Sequence, residues 1–234
     1  MSFAQARKDL RSHANTEKAA FLPSFFKTGK GEYGEGDRFL GVMVPSTRLV
    51  AKKHIDLSLE DIEKLLQSAW HEDRLLAVII LTLQFARADE RGKKCIFDFY
   101  LAHTDRINNW DLVDVSADRI VGAYLVGKDL RILDRLAKSE LIWERRIAII
   151  ATFHFTKSGD SAPVFHISEL LLSDMHDLIH KAVGWMLREA GKRCSESELE
   201  RFLARYGRQM PRTMLRYAIE RFPEAKRRGY LAKS

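Results

Sequence analysis

In the stretch "INNWDLVDVSADRIVG" an Asn at 108 or 109 can cap a helix, and Trp110 and Asp114 follow at i and i+4 of it. That spacing sets an indole and a carboxylate on one helical face. The pair is unusual for a core, and its chemistry is cation stabilisation: an ionised carboxylate and the face of an indole both present negative charge to a positive reacting centre. Two further stretches hold residues out of place for packing alone. In "LIWERRIAIIATF" Arg145 and Arg146 enter a helix that is otherwise strongly apolar, and in "HKAVGWMLRE" Trp185 follows Gly184. Taken singly, each is compatible with a packed ring or a solvated helix start.

Other patterns point away from chemistry. The stretch "GKGEYG", residues 29–34, spells G-x-G-x-x-G, which cradles a dinucleotide only where a buried strand runs into the glycines and a helix begins after them. Ahead of it lies "AAFLPSFFKT" and behind it "EGDRFLGVMVP", each broken by a proline. The stretch therefore reads as a surface loop whose glycines supply positive φ, and no nucleotide cofactor is expected. His176 and His180 stand at i and i+4 with Asp177 between them, a spacing able to hold a metal. No third ligand is arranged nearby, so a core or capping role is expected and no metal site. Cys95 and Cys194 stand alone and are expected to be packed rather than catalytic. No H-E-x-x-H, G-x-S-x-G or Walker pattern occurs.

The elements that must position these residues are helices. "SLEDIEKLLQSAW" opens with Ser58 as a cap and sets Ile62, Leu65, Leu66 and Trp70 on one stripe, while "SESELERFLARYG" runs from a Ser cap to Gly207. "MPRTMLRYAIERFPE", which contains Arg212, has Pro211 near its first turn and Pro223 to end it. Internal similarity links "DRLLAVIILTLQF" to "ERRIAIIATFHF" and "DRIVGAYL" to "HKAVGWML". Recurring inner helices of this kind suit stacked helix pairs in a solenoid with HEAT-like units, an ordinary helical bundle being the alternative.

Composition is that of a globular protein, with 46% apolar and 30% charged residues over 234 positions. The longest apolar run, "LLAVIILTLQFA", falls short of the ~20 residues a membrane span needs, and the N-terminus has no apolar segment behind a basic start. A monomeric, cytoplasmic protein without a membrane partner is expected. The charge is uneven: Lys181 to Ser234 holds 14 Lys and Arg against 6 Asp and Glu, a balance of +8 in a chain of net charge +7. Such a segment is either a solvated helix face or a surface that tracks phosphates.

The ordered set "FLGVMVPSTR", "NNWDLVD", "WERRIAII" and "HKAVGWMLRE" resembles the bacterial DNA alkylation repair proteins, the HEAT-repeat alkylpurine DNA glycosylases of the AlkD type, over roughly residues 21–223. The resemblance implies an all-α, HEAT-like superhelix, one domain over 1–234, with a concave basic face for double-stranded DNA. It implies that Asp114 is the catalytic acid, that Trp110 and Trp185 flank the lesion's deoxyribose, and that Arg146 fixes a nearby phosphate. Arg145, Arg188 and Arg212 join it as expected DNA contacts. It implies as well that the enzyme, associated with the nucleoid when acting, attacks at the sugar without a base-enclosing pocket. The glycine stretch then connects two N-terminal helices. A purine alkylated at N3 or N7 is cationic and leaves as a neutral base, so its departure needs little acid assistance; no lysine beside Asp114 offers a Schiff base, and simple hydrolysis to an abasic site follows. The alternative is a silent relative, a helical-repeat scaffold for DNA or protein. Retention of Asp114 with both tryptophans, and the basic segment, favour the enzyme.

Overall fold

Ser58 accepts the N–H of Asp61 at 3.2 Å, and Ser195 accepts that of Glu198 at 3.2 Å, so two helices begin where the sequence sets their caps. The computed structural model describes residues 2–232. Among these the fold is all-helical, with one isolated bridge between Arg38 and Trp70 and no named strand. Lys233 and Ser234, the end of the basic segment, lie outside the described residues. The chain divides into two compact units, Met1–Ser116 and Ala117–Ser234.

The first unit comprises α1 (Phe3–Arg11), α2 (Thr16–Phe25), α3 (Val44–Lys53), α4 (Leu59–Leu66), α5 (His71–Arg87), α6 (Glu90–Ala102) and the short α7 (Trp110–Asp114). At its centre α5 packs against α3, α4, α6 and α7. Its residues are buried without a break from His71 to Thr82, which is why its sequence is apolar all round rather than striped. The glycine-rich segment joins α2 to α3, as the sequence implies. Gly31, Gly36 and Gly41 hold φ of 78°, 86° and 78° there. At Gly41 a Cβ would also meet the Asn15 carbonyl oxygen at 2.0 Å, so no other residue fits.

The second unit opens on a π-helical turn (Asp118–Gly122) and continues through α8 (Arg131–Ala137), α9 (Ile142–Ala151), α10 (Phe153–Lys157), α11 (Ala162–Leu170), α12 (Asp177–Arg193), α13 (Glu196–Tyr206), α14 (Arg212–Ala218) and α15 (Glu224–Leu231). Here α12 is the central helix, packed against α9, α11, α13 and α14. Gly184 admits α14: a Cβ at that position would stand 2.5 Å from the Met214 carbonyl oxygen.

Three stretches depart from the helices read in the sequence. "ERRIAIIATFHF" is two helices, because Thr152 turns its hydroxyl back onto the Ile149 carbonyl at 2.6 Å and α9 stops there. "DRIVGAYL" begins as the π turn rather than an α-helix. "MPRTMLRYAIERFPE" ends at Ala218, and Pro223 starts α15 instead of terminating α14. No helix among the described residues is long and apolar enough to cross a membrane.

Candidate active site

Four successive charged residues, His71-Glu72-Asp73-Arg74, head α5, and none is more than 2% exposed. Each holds a different part of the first unit. Asp73 accepts from Arg7 Nε at 3.0 Å, Arg11 Nη2 at 3.3 Å and the Ser68 hydroxyl at 2.7 Å, tying down α1. Glu72 accepts the backbone N–H groups of Leu40, Gly41 and Val42 at 2.9, 2.8 and 3.2 Å, which fixes the end of the glycine-rich loop. Arg74 pairs with Asp37, from the same loop, and donates to the Ser68 carbonyl at 3.0 Å.

His71 links that loop to α7. Its Nδ1 donates to Asp37 at 3.0 Å and its Nε2 to Asp111 at 2.8 Å. Burial pushes the imidazole toward its neutral form, but the Asp111 and Asp37 carboxylates outweigh it and its pKa is pushed up to about 9. Burial likewise raises Asp37, and the His71 hydrogen bond with the Arg74 charge overcomes it and holds the carboxyl below its usual range. Asn109, which the sequence offers as a cap, does cap α7: its side-chain oxygen accepts the Trp110 N–H at 2.8 Å, and its amide donates to Asp37 at 3.4 Å. A helix of five residues cannot hold its own direction. Here its first turn is bolted to Asp37 and His71.

Trp110 and Asp114, the two ends of that helix, line one pocket of about 320 Å³. Phe26 stacks on Trp110 with ring centroids 5.4 Å apart, and Phe25 meets the indole edge-on at 5.8 Å. Phe39 stacks on Phe26 at 5.2 Å, and both rings lie against His71, at 5.0 and 4.7 Å. The resemblance implies no such pocket; its aromatic walls come from Phe25 and Phe26 at the start of the glycine-rich loop, Phe39 near its end and Trp110 on α7.

The remaining sequence-predicted residues belong to the second unit. Trp185 is half-buried on α12, with the Phe153 ring 6.1 Å away, and Lys157 and Arg193 lie over that ring at 4.8 and 5.2 Å. Arg146 is 5% exposed, and its Nη1 donates to the Leu178 carbonyl at 2.6 Å. Arg145 pairs with Asp174 at 2.6 Å and caps the carbonyls of Ser139 and Glu140, both at 2.9 Å. Arg188 pairs with Glu220 and with Glu189. Arg212 is exposed and reaches the Leu231 carbonyl at 2.8 Å. All four therefore hold contacts within the protein, and the more open cations of the basic segment include Arg205, Arg208, Arg216 and Arg221.

His176 has the capping role expected of it, its Nδ1 accepting the Leu178 N–H at 3.1 Å, while His180 Nε2 lies 2.5 Å from the Asp174 carbonyl. The cysteines need a correction. Cys194 is half-buried, its thiol donating to the Thr156 carbonyl at 3.5 Å, but Cys95 is exposed. Position 95 falls outside the Ile96, Phe97 and Tyr100 stripe that α6 turns inward.

The family model for DNA alkylation repair enzymes matches residues 6–222. The chain belongs to that family. Membership makes it an enzyme of DNA alkylation repair with DNA as its substrate, and the match begins within α1, ahead of the motifs that carry the sequence resemblance. A solved structure from Enterococcus faecalis, described as a predicted DNA alkylation repair enzyme, has the same helical-repeat fold: TM-score 0.69 at 17% identity, over 91% of this chain and 98% of that one. No curated protein matches the chain.

Sequence reasoning singles out Trp110 and Asp114 as candidates but misses what holds them: Asp37, His71, Asp111 and the three phenylalanines. A signal was present. Four charges in a row at the head of a run that is otherwise wholly apolar have no solvent to face if the run is buried, so each must have a partner.

Proposed function

We propose that the protein is a monofunctional DNA glycosylase that hydrolyses the N-glycosidic bond of cationic N3- or N7-alkylated purines in duplex DNA and leaves an abasic site. The observation that supports it most is Asp114 and Trp110 on one pocket wall, on a helix too short to orient them unless clamped as it is. An ordinary carboxylate is ionised at neutral pH. Asp114 so placed offers negative charge to the oxocarbenium-like sugar as the neutral base departs, and can orient the attacking water. Trp110 offers its π face to the same cation, a contact of ~0.5–2 kcal/mol according to desolvation. Trp185 has the second such role on the resemblance. Arg145, Arg146, Arg188 and Arg212, with the exposed cations of the basic segment, bind backbone phosphates. A neutral lesion such as hypoxanthine needs a protonated leaving group, which an ionised carboxylate does not supply, so cationic lesions are the substrate class.

The deciding experiment is incubation of the purified protein with duplex DNA containing 7-methylguanine, followed by assay of the free base. Release by the wild-type protein that is lost in Asp114→Asn supports the reading. Duplex binding without release leaves a DNA-binding scaffold in its place.

A further inference from the structure

Arg188 lines a cleft of about 420 Å³ together with Arg216, Tyr217, Glu220 and Arg227, where α12, α14 and the start of α15 meet. Three guanidinium groups face one carboxylate there. Gly184 brings the walls together, since a Cβ on it would stand 2.5 Å from the Tyr217 Cβ and hold α14 away. Arg216 is exposed and forms no ion pair among the described residues, while Arg227 pairs with the exposed Glu224 at 3.3 Å. Glu220 accepts from Nη1 of Arg188, and Glu189 accepts from its Nη2 at 3.3 Å. The Nε of Arg188 is left buried without a hydrogen-bond partner, and the Nε of Arg227 is in the same state. A buried donor left unmet costs free energy, so Glu220 is an incomplete occupant of the cleft. Its side chain is 56% exposed against 18% for Arg188, and it can turn out to water while the arginine stays in place.

We propose that this cleft seats one backbone phosphate of the duplex, and that Glu220 stands in for that phosphate in the free protein and is displaced when DNA binds. The proposal rests on the glycosylase reading for its ligand, but it is a separate claim about binding. A carboxylate on one guanidinium nitrogen fills half of the fork. A phosphodiester carries two charged oxygens and accepts side by side from Nε and Nη, the paired geometry in which arginine holds phosphate most firmly. Arg216 and Arg227 add charge that one carboxylate does not balance, and the hydroxyl of Tyr217, a residue 37% exposed, is a further donor. Arg188 follows Trp185 by three positions and so shares its face of α12, which sets the cleft beside the ring that the glycosylase reading gives to the sugar. The exchange reads no base, so Glu220 lowers affinity alike for every sequence.

The test is binding of an undamaged fluorescent duplex to the full chain, followed by anisotropy. Glu220→Gln, at an exposed position, is expected to bind about two- to fivefold tighter than the wild type with the melting temperature unchanged, the range that a half-open ion pair contributes. Arg188→Met keeps the apolar stem and leaves Glu189 its bond to Arg193 at 2.8 Å; it should weaken binding and flatten the dependence of log binding constant on log salt by ~0.9. Beside Arg188→Met the gain from Glu220→Gln should vanish, because no guanidinium remains to be released. Glu196→Gln removes the same charge, but Lys226 keeps Glu200 as a partner, so affinity should not change. No gain in Glu220→Gln, a gain that persists beside Arg188→Met, or an equal gain in Glu196→Gln overturns the proposal. Calorimetry with inorganic phosphate separates the two sources of the group: saturable binding by Glu220→Gln without a gain on the duplex makes the cleft a site for a free anion, and overturns the proposal as well. Release of 7-methylguanine by the wild type, with duplex affinity indifferent to Glu220→Gln, removes the cleft and leaves the glycosylase standing. The expected gain on the duplex, without excision by any form, supports the cleft and removes the glycosylase.

Discussion

At the head of α5 four charged side chains are buried and bound to α1, the glycine-rich loop and α7, whereas at the head of α12, the central helix of the other unit, Asp177 and Lys181 pair at 2.6 Å with both side chains about half open to solvent, Asp177 also hydrogen-bonding to Thr213. A half-exposed i, i+4 pair of this kind stabilises its own helix by only ~0.2–0.5 kcal/mol. A buried set is different: its desolvation cancels much of its attraction, yet removing one member strands the rest, so it acts as a geometric constraint more than as a source of stability. The first unit uses charge to fix the direction of a five-residue helix. The second leaves most of its charge at the surface, where it can meet phosphates.

The sharpest way to break this contrast is to remove one buried partner. Asp37→Ala is expected to cost ~3–5 kcal/mol, because it takes the carboxylate from the buried Arg74 and leaves His71 with Asp111 alone, while Asp177→Ala should shift the urea midpoint only slightly. Similar losses from the two would show that the α5 cluster is no constraint. Asp114→Asn comes next, lowering base release ~100- to 1,000-fold, or ~2.7–4 kcal/mol, with duplex binding nearly intact. Equal rates in mutant and parent would end the assignment of that residue.

A third measurement follows the charge on His71. Its folded pKa of about 9 lies above the ordinary 6.5, so its stabilisation is fully present below pH 6.5 and is lost as pH rises through 9. The loss is on the order of 3 kcal/mol over that window. Denaturant titrations at pH 6, 8 and 10 should show it in the wild type and not in His71→Gln, which is less stable throughout.

Smaller effects are expected at the rings. Trp110→Ala and Trp185→Ala should each slow base release ~10-fold, as loss of ~1.4 kcal/mol of transition-state contact requires. The smallest effect sharpens the other half of the comparison. Arg216→Ala and Arg221→Ala should each flatten the dependence of log binding constant on log salt by ~0.9, with no change in melting temperature. Arg146→Ala should flatten the slope and also lower the melting temperature, since its bond to the buried Leu178 carbonyl goes with it. A salt-independent affinity would point to a protein partner instead of DNA.

Most of the fold was legible because helix caps and apolar stripes are local signals: Ser58, Asn109 and Ser195 are all caps in the structure. The breaks were harder to read. Thr152 ends α9 through a side-chain bond that competes with the helix, and Pro223 proves to start a helix that the pattern treats as finished. At the candidate site, the sequence singles out Asp114 and Trp110 because they stand at i and i+4 of one short helix. Asp37 lies 34 positions from His71, and His71 lies 40 from Asp111, so no periodicity joins the three. The same distance hid the pocket, whose rings come from both ends of the glycine-rich loop and from α7, which only the folded chain brings together.

The exposure of Cys95 gives the protein a practical property. Burial raises the pKa of the Cys194 thiol and lowers its share of reactive thiolate, while Cys95 sits on the outer face of α6 and there is no disulfide to engage it. A maleimide dye offered briefly near neutral pH should couple at Cys95 alone. The native sequence thus carries its own attachment point for a fluorophore, on an outer helix face away from the inward stripe, through which single molecules could be watched arriving at and leaving a damaged duplex.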